Sequence, residues 1–246
     1  MVQGDTASAA AVALAAFNRN IPVVHLEAGL RAHDKKNPYP EEVYRRMISS
    51  IASVHLCPTI HNAQNLKEEL GGAYGTVHVV GNTVCDNLVN LKTDEYNNEV
   101  IVTMHRRENH ARMDEWFAAI NAQAAANKDL NFTLPIHPNP DVSKHRHLLT
   151  DVNVVDPIPY DEFIAKLSVC RFIISDSGGI QEEAAFLHRM CIVCRERTER
   201  PEGLGVYSRL CETPERLPFV FESVRKNYKP SIKDACPYGD GHASRR

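Results

Sequence analysis

Residues 173–183 read Ile-Ile-Ser-Asp-Ser-Gly-Gly-Ile-Gln-Glu-Glu, and this segment predicts the fold around it. Apolar residues end a strand, a Ser-Gly-Gly turn follows, and a helix with two early carboxylates begins. Such a turn directs backbone N–H groups outward at the positive end of a helix, where anions bind. Because glycine has no Cβ, Gly178 and Gly179 let the backbone approach a phosphate closely. With the later charged turn Thr198-Glu199-Arg200-Pro201-Glu202, the segment predicts a nucleoside diphosphate pocket at the ends of parallel strands.

The composition limits the classes of protein to which this chain can belong. The chain has 246 residues, of which 43% are hydrophobic and 24% charged, as in a globular protein with a real core. The net charge of −3 gives no basic field for a nucleic-acid partner. The longest apolar run, residues 7–17, is too short to cross a bilayer, and the start lacks a signal-peptide pattern, so we expect no membrane partner.

The seven cysteines are irregularly spaced, and several lie in apolar runs. Cys191 and Cys194 form a CxxC, but it lies inside a strand-like run and has no second ligand pair nearby. We therefore expect buried, reduced thiols in a cytoplasmic protein rather than disulfides or a zinc site.

Short β-rich runs alternate with helical patterns, which predicts an α/β protein with parallel sheets and crossover helices. The predicted strands are Pro22–Leu26, Ser53–Cys57, Thr76–Val80, Val100–Met104, Phe132–Ile136, Val152–Val155, Phe172–Ser175 and Cys191–Cys194. The predicted helices are Thr6–Asn18, Glu41–Ala52, Ile60–Leu70, Met113–Asn127, Tyr160–Leu167, Ile180–Leu187 and Pro214–Arg225. The polar stretch 92–98 predicts a linker that divides an N-terminal domain, residues 1–91, from a C-terminal domain, residues 99–246.

Acidic residues of the first half follow predicted strands or open a helix. Asp5 follows a strand tip, Glu27 follows Pro22–Leu26, and Glu41 and Glu42 begin a helix. Ligands of open α/β sheets bind beyond the carboxyl ends of the strands, so these carboxylates could act as general acid and base. Asp5 could instead be an N-cap, and Glu41 and Glu42 could be partners of the helix dipole. Glu27 has no such capping role.

Basic residues follow strands of the second half. His105, Arg106 and Arg107 lie after Val100–Met104 and offer protonatable and cationic donors to a diphosphate, or else form a solvated charged loop. His137 lies in a Pro-rich turn, where a structural role and a ligand-binding role are both open.

Taken together, the chain resembles the non-hydrolysing UDP-N-acetylglucosamine 2-epimerase family. The segments that carry the resemblance occur in family order and are Gly4-Asp-Thr6, His25-Leu-Glu-Ala-Gly-Leu-Arg31, Pro40-Glu-Glu42, Gly81-Asn-Thr-Val84, His105-Arg-Arg-Glu-Asn109, His137-Pro-Asn-Pro140, Asp176-Ser-Gly-Gly-Ile-Gln-Glu-Glu183, Thr198-Glu-Arg-Pro-Glu202 and Pro237-Tyr-Gly-Asp-Gly241.

The resemblance implies a GT-B-like architecture of two Rossmann-like domains, a UDP-sugar ligand, a homodimer, and no nicotinamide or metal cofactor. The implied reaction interconverts UDP-GlcNAc and UDP-ManNAc by elimination and re-addition of UDP through 2-acetamidoglucal. The implied catalytic residues are the carboxylates Asp5, Glu27 and Glu41, and His105, which assists departure of UDP. The implied substrate-binding residues are Ser177, Gly178 and Gly179 for phosphate, Glu183 for the ribose, Arg200 for the diphosphate, and also Arg107 and His137.

The chain also departs from the family pattern. The leading Gly-Thr-Arg-Pro-Glu segment and the final helix of the family are absent, and Tyr44 stands where the family has Asn. We therefore expect an incomplete N-terminal domain, truncation at both ends of the chain, and an exposed sheet edge and apolar surface that a second polypeptide covers. The alternatives are an inactive assembly protein derived from an epimerase, for example in a phage particle, and a glycosyltransferase of the same fold.

Overall fold

The computed structural model describes residues 1–36, 38–71, 75–91, 95–227 and 235–246, which form two compact units. The first unit comprises Met1–Asn87 and Pro237–Arg246, and the second comprises Leu88–Cys236. Each unit is an α/β structure with an entirely parallel sheet, so the expected fold class is confirmed. Among the residues that the structure describes, we find no helix with the length and apolarity that a bilayer crossing requires.

The first unit alternates strands and helices in the order β1 (Val2–Gln3), α1 (Ala7–Asn18), β2 (Val24–Leu26), α2 (Glu41–Ile51), β3 (Val54–Cys57), α3 (Ile60–Leu70) and β4 (Thr76–Val79). The sheet order β1-β2-β3-β4 follows the chain, so all the crossover helices progress in one direction. A small core forms where α1 packs on α2, with Ala13 and Ile48 fully buried. β1 lies at an edge of the sheet, and α1 exposes Val12, Leu14 and Phe17.

The last ten residues, which the sequence assigned to the second domain, belong to the first unit. The Asn82 amide donates to the Tyr238 carbonyl at 2.7 Å, and the Asp86 carboxylate accepts from the Ala243 and Ser244 amides, each at 2.8 Å. The Arg246 guanidinium donates to the Val80 carbonyl at 3.0 Å. These backbone contacts are made by loops, so the periodic pattern of the sequence gives no sign of them.

The second unit contains β5 (Glu99–Thr103), α4 (Met113–Ala126), β6 (Asn131–Pro135), α5 (Pro140–Ser143), β7 (Asn153–Val155), α6 (Tyr160–Val169), β8 (Phe172–Ser175), α7 (Gly178–Phe186), β9 (Cys191–Val193), β10 (Ser208–Leu210) and α8 (Leu217–Asn227). The sheet order is β10-β9-β8-β5-β6-β7, so the strand order reverses direction between β5 and β8. Side chains of α4, α8 and the strands fill its core, with Trp116, Phe117 and Phe221 buried. The pocket of such a sheet is expected at this reversal.

The predicted elements occur near their predicted bounds, with several differences. β10 and α5 were not predicted, and a 3-10 turn at Pro214–Arg216 precedes α8. α7 begins at Gly178, two residues before its predicted start, because both glycines adopt the helical conformation. The predicted linker, residues 92–98, falls inside the second unit: residues 92–94 lie outside the described residues, and the Asn97 amide donates to the Val169 carbonyl at 2.7 Å.

Candidate functional site

In the first unit, Asp5 is held by an arginine rather than by the helix it precedes. The Arg45 guanidinium donates to Asp5 Oδ2 from Nε at 2.8 Å and contacts it from Nη2 at 2.6 Å. The N-cap of α1 is Thr6, whose hydroxyl accepts from the Ala9 amide at 3.1 Å. The interpretation of Asp5 as an N-cap is therefore wrong. The Asp5 carboxylate stays 27% exposed, so a ligand can reach it.

Glu27 follows β2 in a strained backbone conformation. Its φ of +66° lies in the left-handed region, which costs a residue with a side chain roughly 1 kcal/mol or more. A Cβ placed on Gly4 would lie 3.4 Å from Glu27 Oε2, so this carboxylate lies over the residue that precedes Asp5. Because β1 and β2 are paired in parallel, Asp5 and Glu27 share one end of the sheet. Strain of this kind concentrates at functional sites.

The adjacent Glu41 and Glu42 have different environments at the start of α2. Glu42 is fully buried and accepts from the Ala32 amide at 3.0 Å, Arg45 Nη1 at 3.2 Å and Arg46 Nε at 3.2 Å. Oε2 of Glu41 is also buried, but it has no hydrogen-bond partner among the described residues. Residues four apart share a helix face, so Glu41 lies on the side of α2 that carries Arg45. Glu42 is thus structural, whereas Glu41 keeps an acceptor oxygen for a ligand.

In the second unit, a mostly apolar cavity of about 200 Å³ lies beyond the carboxyl ends of β5, β6, β7 and β8. The residues that line the cavity are Thr103, Met104, His105, Pro135, Ile136, His137, Pro138, Pro157, Ile158, Phe163, Ser177 and Ile180. Its position at the reversal of strand order is the one expected for a ligand site in an open α/β sheet.

Asp176, at the end of β8, fixes the loop that carries His105. The buried carboxylate accepts from the His105 amide at 3.1 Å, the Arg106 amide at 2.9 Å and Asn109 Nδ2 at 3.0 Å. Asn109 also donates to the Cys194 carbonyl at 2.9 Å and accepts from the Trp116 indole at 3.1 Å. The buried Asp176 carboxylate therefore links the end of β8 to the end of β5 and to the first helical turn after β5.

The imidazole of His105 faces the cavity beside that of His137. The two rings are stacked with their centroids 5.5 Å apart, and His105 Nδ1 lies 3.8 Å from Asp176 Oδ1. Burial lowers the pKa of His105, Asp176 raises it, and Arg106, His137 and His110 lower it further. His137 Nδ1 accepts from the Asn139 amide at 3.2 Å, so the neutral ring carries its proton on Nε2. Both imidazoles can donate to an anion in the cavity.

The predicted phosphate turn forms the start of α7. Ser177 lies at the N-cap position without capping through its side chain, and its amide donates to Ser175 Oγ at 3.0 Å. The two glycines differ: a Cβ on Gly178 would lie 2.4 Å from Arg200 Nη1, whereas a Cβ on Gly179 would meet nothing within 4 Å. Gly178 is therefore required for packing, and Gly179 leaves the N-terminus of the helix open to an anion.

Arg200 belongs to a buried chain of alternating charges. Its Nε donates to Glu182 at 2.7 Å and its Nη1 donates to Glu199, while Glu199 accepts from Arg195 at 2.8 Å and Arg195 donates to Glu108 at 2.6 Å. Burial alone would lower the pKa of Arg195, but Glu199 and Glu108 raise it above its usual value. The chain fixes Arg200 beside the start of α7, and it was not predicted from the sequence.

The remaining predicted residues lie in contrasting environments. Glu183 of α7 is 5% exposed and accepts from the Tyr160 hydroxyl at 2.9 Å. Arg107 is exposed at the start of a 3-10 turn, outside the cavity lining. Cys191 and Cys194 are buried in or beside β9, and burial raises the pKa of both thiols. The expectation that this CxxC packs in the core is confirmed, and no metal-binding cluster occurs within the described ranges.

The family model of UDP-N-acetylglucosamine 2-epimerase matches residues 1–246. The chain belongs to this family. It is 36% identical over 277 residues to the UDP-N-acetylglucosamine 2-epimerase of Campylobacter jejuni, covering 99% of this chain and 72% of that protein. It is 36% identical over 268 residues to the enzyme of Bacillus subtilis (strain 168), covering 100% of this chain and 70% of that protein. The family is one of enzymes, so the resemblance drawn from the sequence motifs is confirmed.

Solved structures agree with this family assignment and with the GT-B-like class. The MnaA–UDP co-structure from S. aureus matches with a TM-score of 0.91 at 32% identity, covering 99% of this chain and 72% of that one. The UDP-GlcNAc 2-epimerase of Neisseria meningitidis, bound to UDP-GlcNAc, matches with a TM-score of 0.90 at 32% identity, covering 99% of this chain and 73% of that one.

Proposed function

We propose that this chain interconverts UDP-GlcNAc and UDP-ManNAc. The observation that carries the proposal is that its fold matches, over 99% of its length, an epimerase bound to UDP-GlcNAc. The acidic residues that the chemistry needs are also present at the carboxyl end of the first sheet. Since six of the seven cysteines are buried and none is disulfide-bonded, we assign the reaction to the reducing cytoplasm.

The proposed reaction has two steps that share one intermediate. A carboxylate removes the proton from C2 while the bond between C1 and the diphosphate oxygen breaks, which releases UDP and leaves 2-acetamidoglucal. UDP then adds back to C1, and a carboxylic acid returns a proton to C2 with the opposite configuration. The step balances because the proton lost from C2 is replaced by a proton that exchanges with solvent, and no electron acceptor is needed.

The geometry suggests how the first-unit residues share this work. Glu41 has a buried oxygen without a hydrogen-bond partner among the described residues, which suits proton transfer at carbon. Asp5 is fixed by Arg45 and Glu27 is fixed by its backbone, so both would assist as placed carboxylates at C2 and C3.

The second unit would bind and release UDP. The N–H groups at the start of α7, together with Arg200, would stabilise the diphosphate, and the apolar cavity would take the base. Burial gives His105 a lowered pKa in spite of the Asp176 carboxylate beside it. The negative charge of a diphosphate would favour its protonated form, which can then donate to the departing oxygen. His137 would donate from Nε2 beside it.

The test is incubation with UDP-GlcNAc in D₂O, followed by ¹H NMR. We expect UDP-ManNAc to form with deuterium at C2, together with small amounts of UDP and 2-acetamidoglucal. Glu41→Gln should abolish exchange at C2, whereas the control Glu68→Gln, on the exposed face of α3, should leave it unchanged. Absence of exchange even with a complementing N-terminal polypeptide present would contradict the proposed chemistry, and absence of UDP binding would favour the inactive assembly protein.

We include a second polypeptide in the proposed active assembly. The support is the unpaired edge of β1 and the exposed apolar residues Val12, Leu14 and Phe17 beside it. The NMR assay therefore has two arms, the chain alone and the chain with the part of a relative that it does not match. Full activity of the chain alone would contradict this element of the proposal. Sedimentation measures whether the chain forms the expected homodimer.

A further inference from the structure

Tyr160 and Glu183 are joined by a hydrogen bond near the cavity. The family motifs contain Glu183 but not Tyr160. The Tyr160 hydroxyl donates to Glu183 Oε1 at 2.9 Å. Tyr160 is the first residue of α6 and Glu183 lies in the second turn of α7, so the hydrogen bond joins two helices across the end of the sheet. The Tyr160 residue is 47% exposed, whereas Glu183 is 5% exposed.

Helical spacing places each member of this pair close to a residue that lines the cavity. Phe163 and Ile180 both line the cavity. Phe163 lies three residues after Tyr160 in α6, so these two side chains share one face of α6. Ile180 lies three residues before Glu183 in α7, so these two side chains share one face of α7. A nucleotide whose base occupies the apolar cavity and whose diphosphate lies at the start of α7 would therefore bring its ribose towards Glu183.

We propose that Tyr160 is a positioning residue that holds the Glu183 carboxylate ready to accept hydrogen bonds from the ribose hydroxyls of the ligand. This inference rests on the proposed function, because it requires a UDP-sugar in the cavity. It goes beyond the family motifs, since Tyr160 lies outside all of them.

The physical reason is that a buried carboxyl group is useful to a diol only when it is ionised. A carboxylate accepts from both hydroxyls, whereas a neutral acid presents a proton of its own. Burial raises the pKa of Glu183 to about 7, and the hydrogen bond from Tyr160 acts in the opposite direction. Donation from Tyr160 therefore keeps a larger fraction of Glu183 ionised near neutral pH.

Other titratable groups lie on α7 itself and on the described elements beside α6 and α7. On α7 itself, Glu182 is engaged by Arg200 at 2.7 Å. β8 carries no titratable side chain, β9 carries Cys191, and the turn Pro201–Gly203 carries Glu202. The titratable residues of α6 besides Tyr160 are Asp161, Glu162 and Lys166.

The experiment is calorimetric titration of UDP into the whole chain and into Tyr160→Phe between pH 6 and pH 8.5. The substitution keeps the ring of Tyr160 but removes its hydroxyl, so we expect the pKa of Glu183 to rise because the hydrogen bond that lowers it is lost. We expect UDP affinity to fall by about fivefold at pH 7, the effect of one hydrogen bond. At pH 8.5 the parent chain and Tyr160→Phe should bind UDP with the same affinity, because Glu183 is then ionised in both. A purely structural role of Tyr160 would give the same loss at every pH and would overturn the inference.

Two comparisons make the result specific. The control Tyr96→Phe, whose ring lies under Arg171, should match the parent chain at every pH. A UDP analogue without ribose hydroxyls should bind the parent chain and Tyr160→Phe equally, and an equal loss with this analogue would overturn the inference. If the parent chain binds no UDP at any pH, the proposed function fails together with the inference. If it binds UDP but Tyr160→Phe leaves the pH profile unmoved, the inference alone fails.

Discussion

The adjacent glycines at the start of α7 allow one prediction with an internal control. Gly178→Ala and Gly179→Ala give two proteins of identical composition that differ in the position of one methyl group. The structure assigns them opposite effects on the free energy of unfolding, because one methyl meets a buried arginine and the other meets open space.

The magnitude follows from the contacts of Arg200. A Cβ on Gly178 would lie 2.4 Å from Arg200 Nη1 and 2.9 Å from Glu199 Oε1, so the guanidinium must move. Movement weakens its hydrogen bonds to Glu182 and Glu199, which are worth roughly 1.5–3 kcal/mol each because they join charged groups. Overpacking adds about 1–3 kcal/mol, and the better helix propensity of alanine offsets up to about 1 kcal/mol. We expect Gly178→Ala to lose about 2–4 kcal/mol and Gly179→Ala to gain about 0.5 kcal/mol.

The assay is urea unfolding followed by tryptophan fluorescence. Trp116 is the single tryptophan of the chain and is 2% exposed in the core of the second unit, so its emission reports the unit that holds both glycines. The parent chain and both variants are measured under one set of conditions, and the midpoints are compared. If Gly178→Ala were as stable as Gly179→Ala, the packing of Arg200 against α7 described here would be wrong.

Three further perturbations test other parts of the structure. Burial lowers the pKa of His25 to about 4 from its ordinary 6.5, so the unfolded chain binds more protons between those pH values. The first unit should lose up to about 3 kcal/mol as the pH falls from 6.5 to 4, and a melting temperature that is constant over this range would contradict it. Glu42→Gln should destabilise the chain by about 3 kcal/mol because two arginines lose a buried partner, whereas Glu41→Gln should change stability by less than about 0.5 kcal/mol, as measured by thermal unfolding. Asp86→Ala should speed amide exchange across Pro237–Arg246 about tenfold, measured by mass spectrometry, and unchanged exchange would show that other contacts hold this segment.

The sequence predicted the strands and most helices because burial imposes a period on apolar residues. It also predicted the junction between β8 and α7, since strand-end positions have local signatures, but the turn predicted at Gly178 and Gly179 is the first turn of α7. β10 escaped prediction: its three residues Ser208, Arg209 and Leu210 show no apolar run, and only pairing with β9 makes them a strand. The return of Pro237–Arg246 to the first unit escaped it for a similar reason, because amide contacts in loops have no periodic signal.

The residues of the candidate site also divide into those that the sequence could predict and those that it could not. The candidate carboxylates Asp5, Glu27 and Glu41 could be selected from motif and strand-end position, and their roles stay predictions. Their fixed partners could not be selected, since Arg45 reaches Asp5 across 40 residues of chain and only the packing of α2 on α1, which begins just after Asp5, shows it. The pairing of Tyr160 with Glu183 likewise depends on how two helices lie against one sheet.

The unequal surroundings of Glu41 and Glu42 have a consequence for protein engineering. If Glu41 has the role proposed above, exchanging the first acid should stop proton transfer while the scaffold survives, so position 41 can be varied without loss of the fold. Exchanging the second removes a buried counterion that Arg45 and Arg46 share, so a library that randomises both codons should contain many clones of reduced stability.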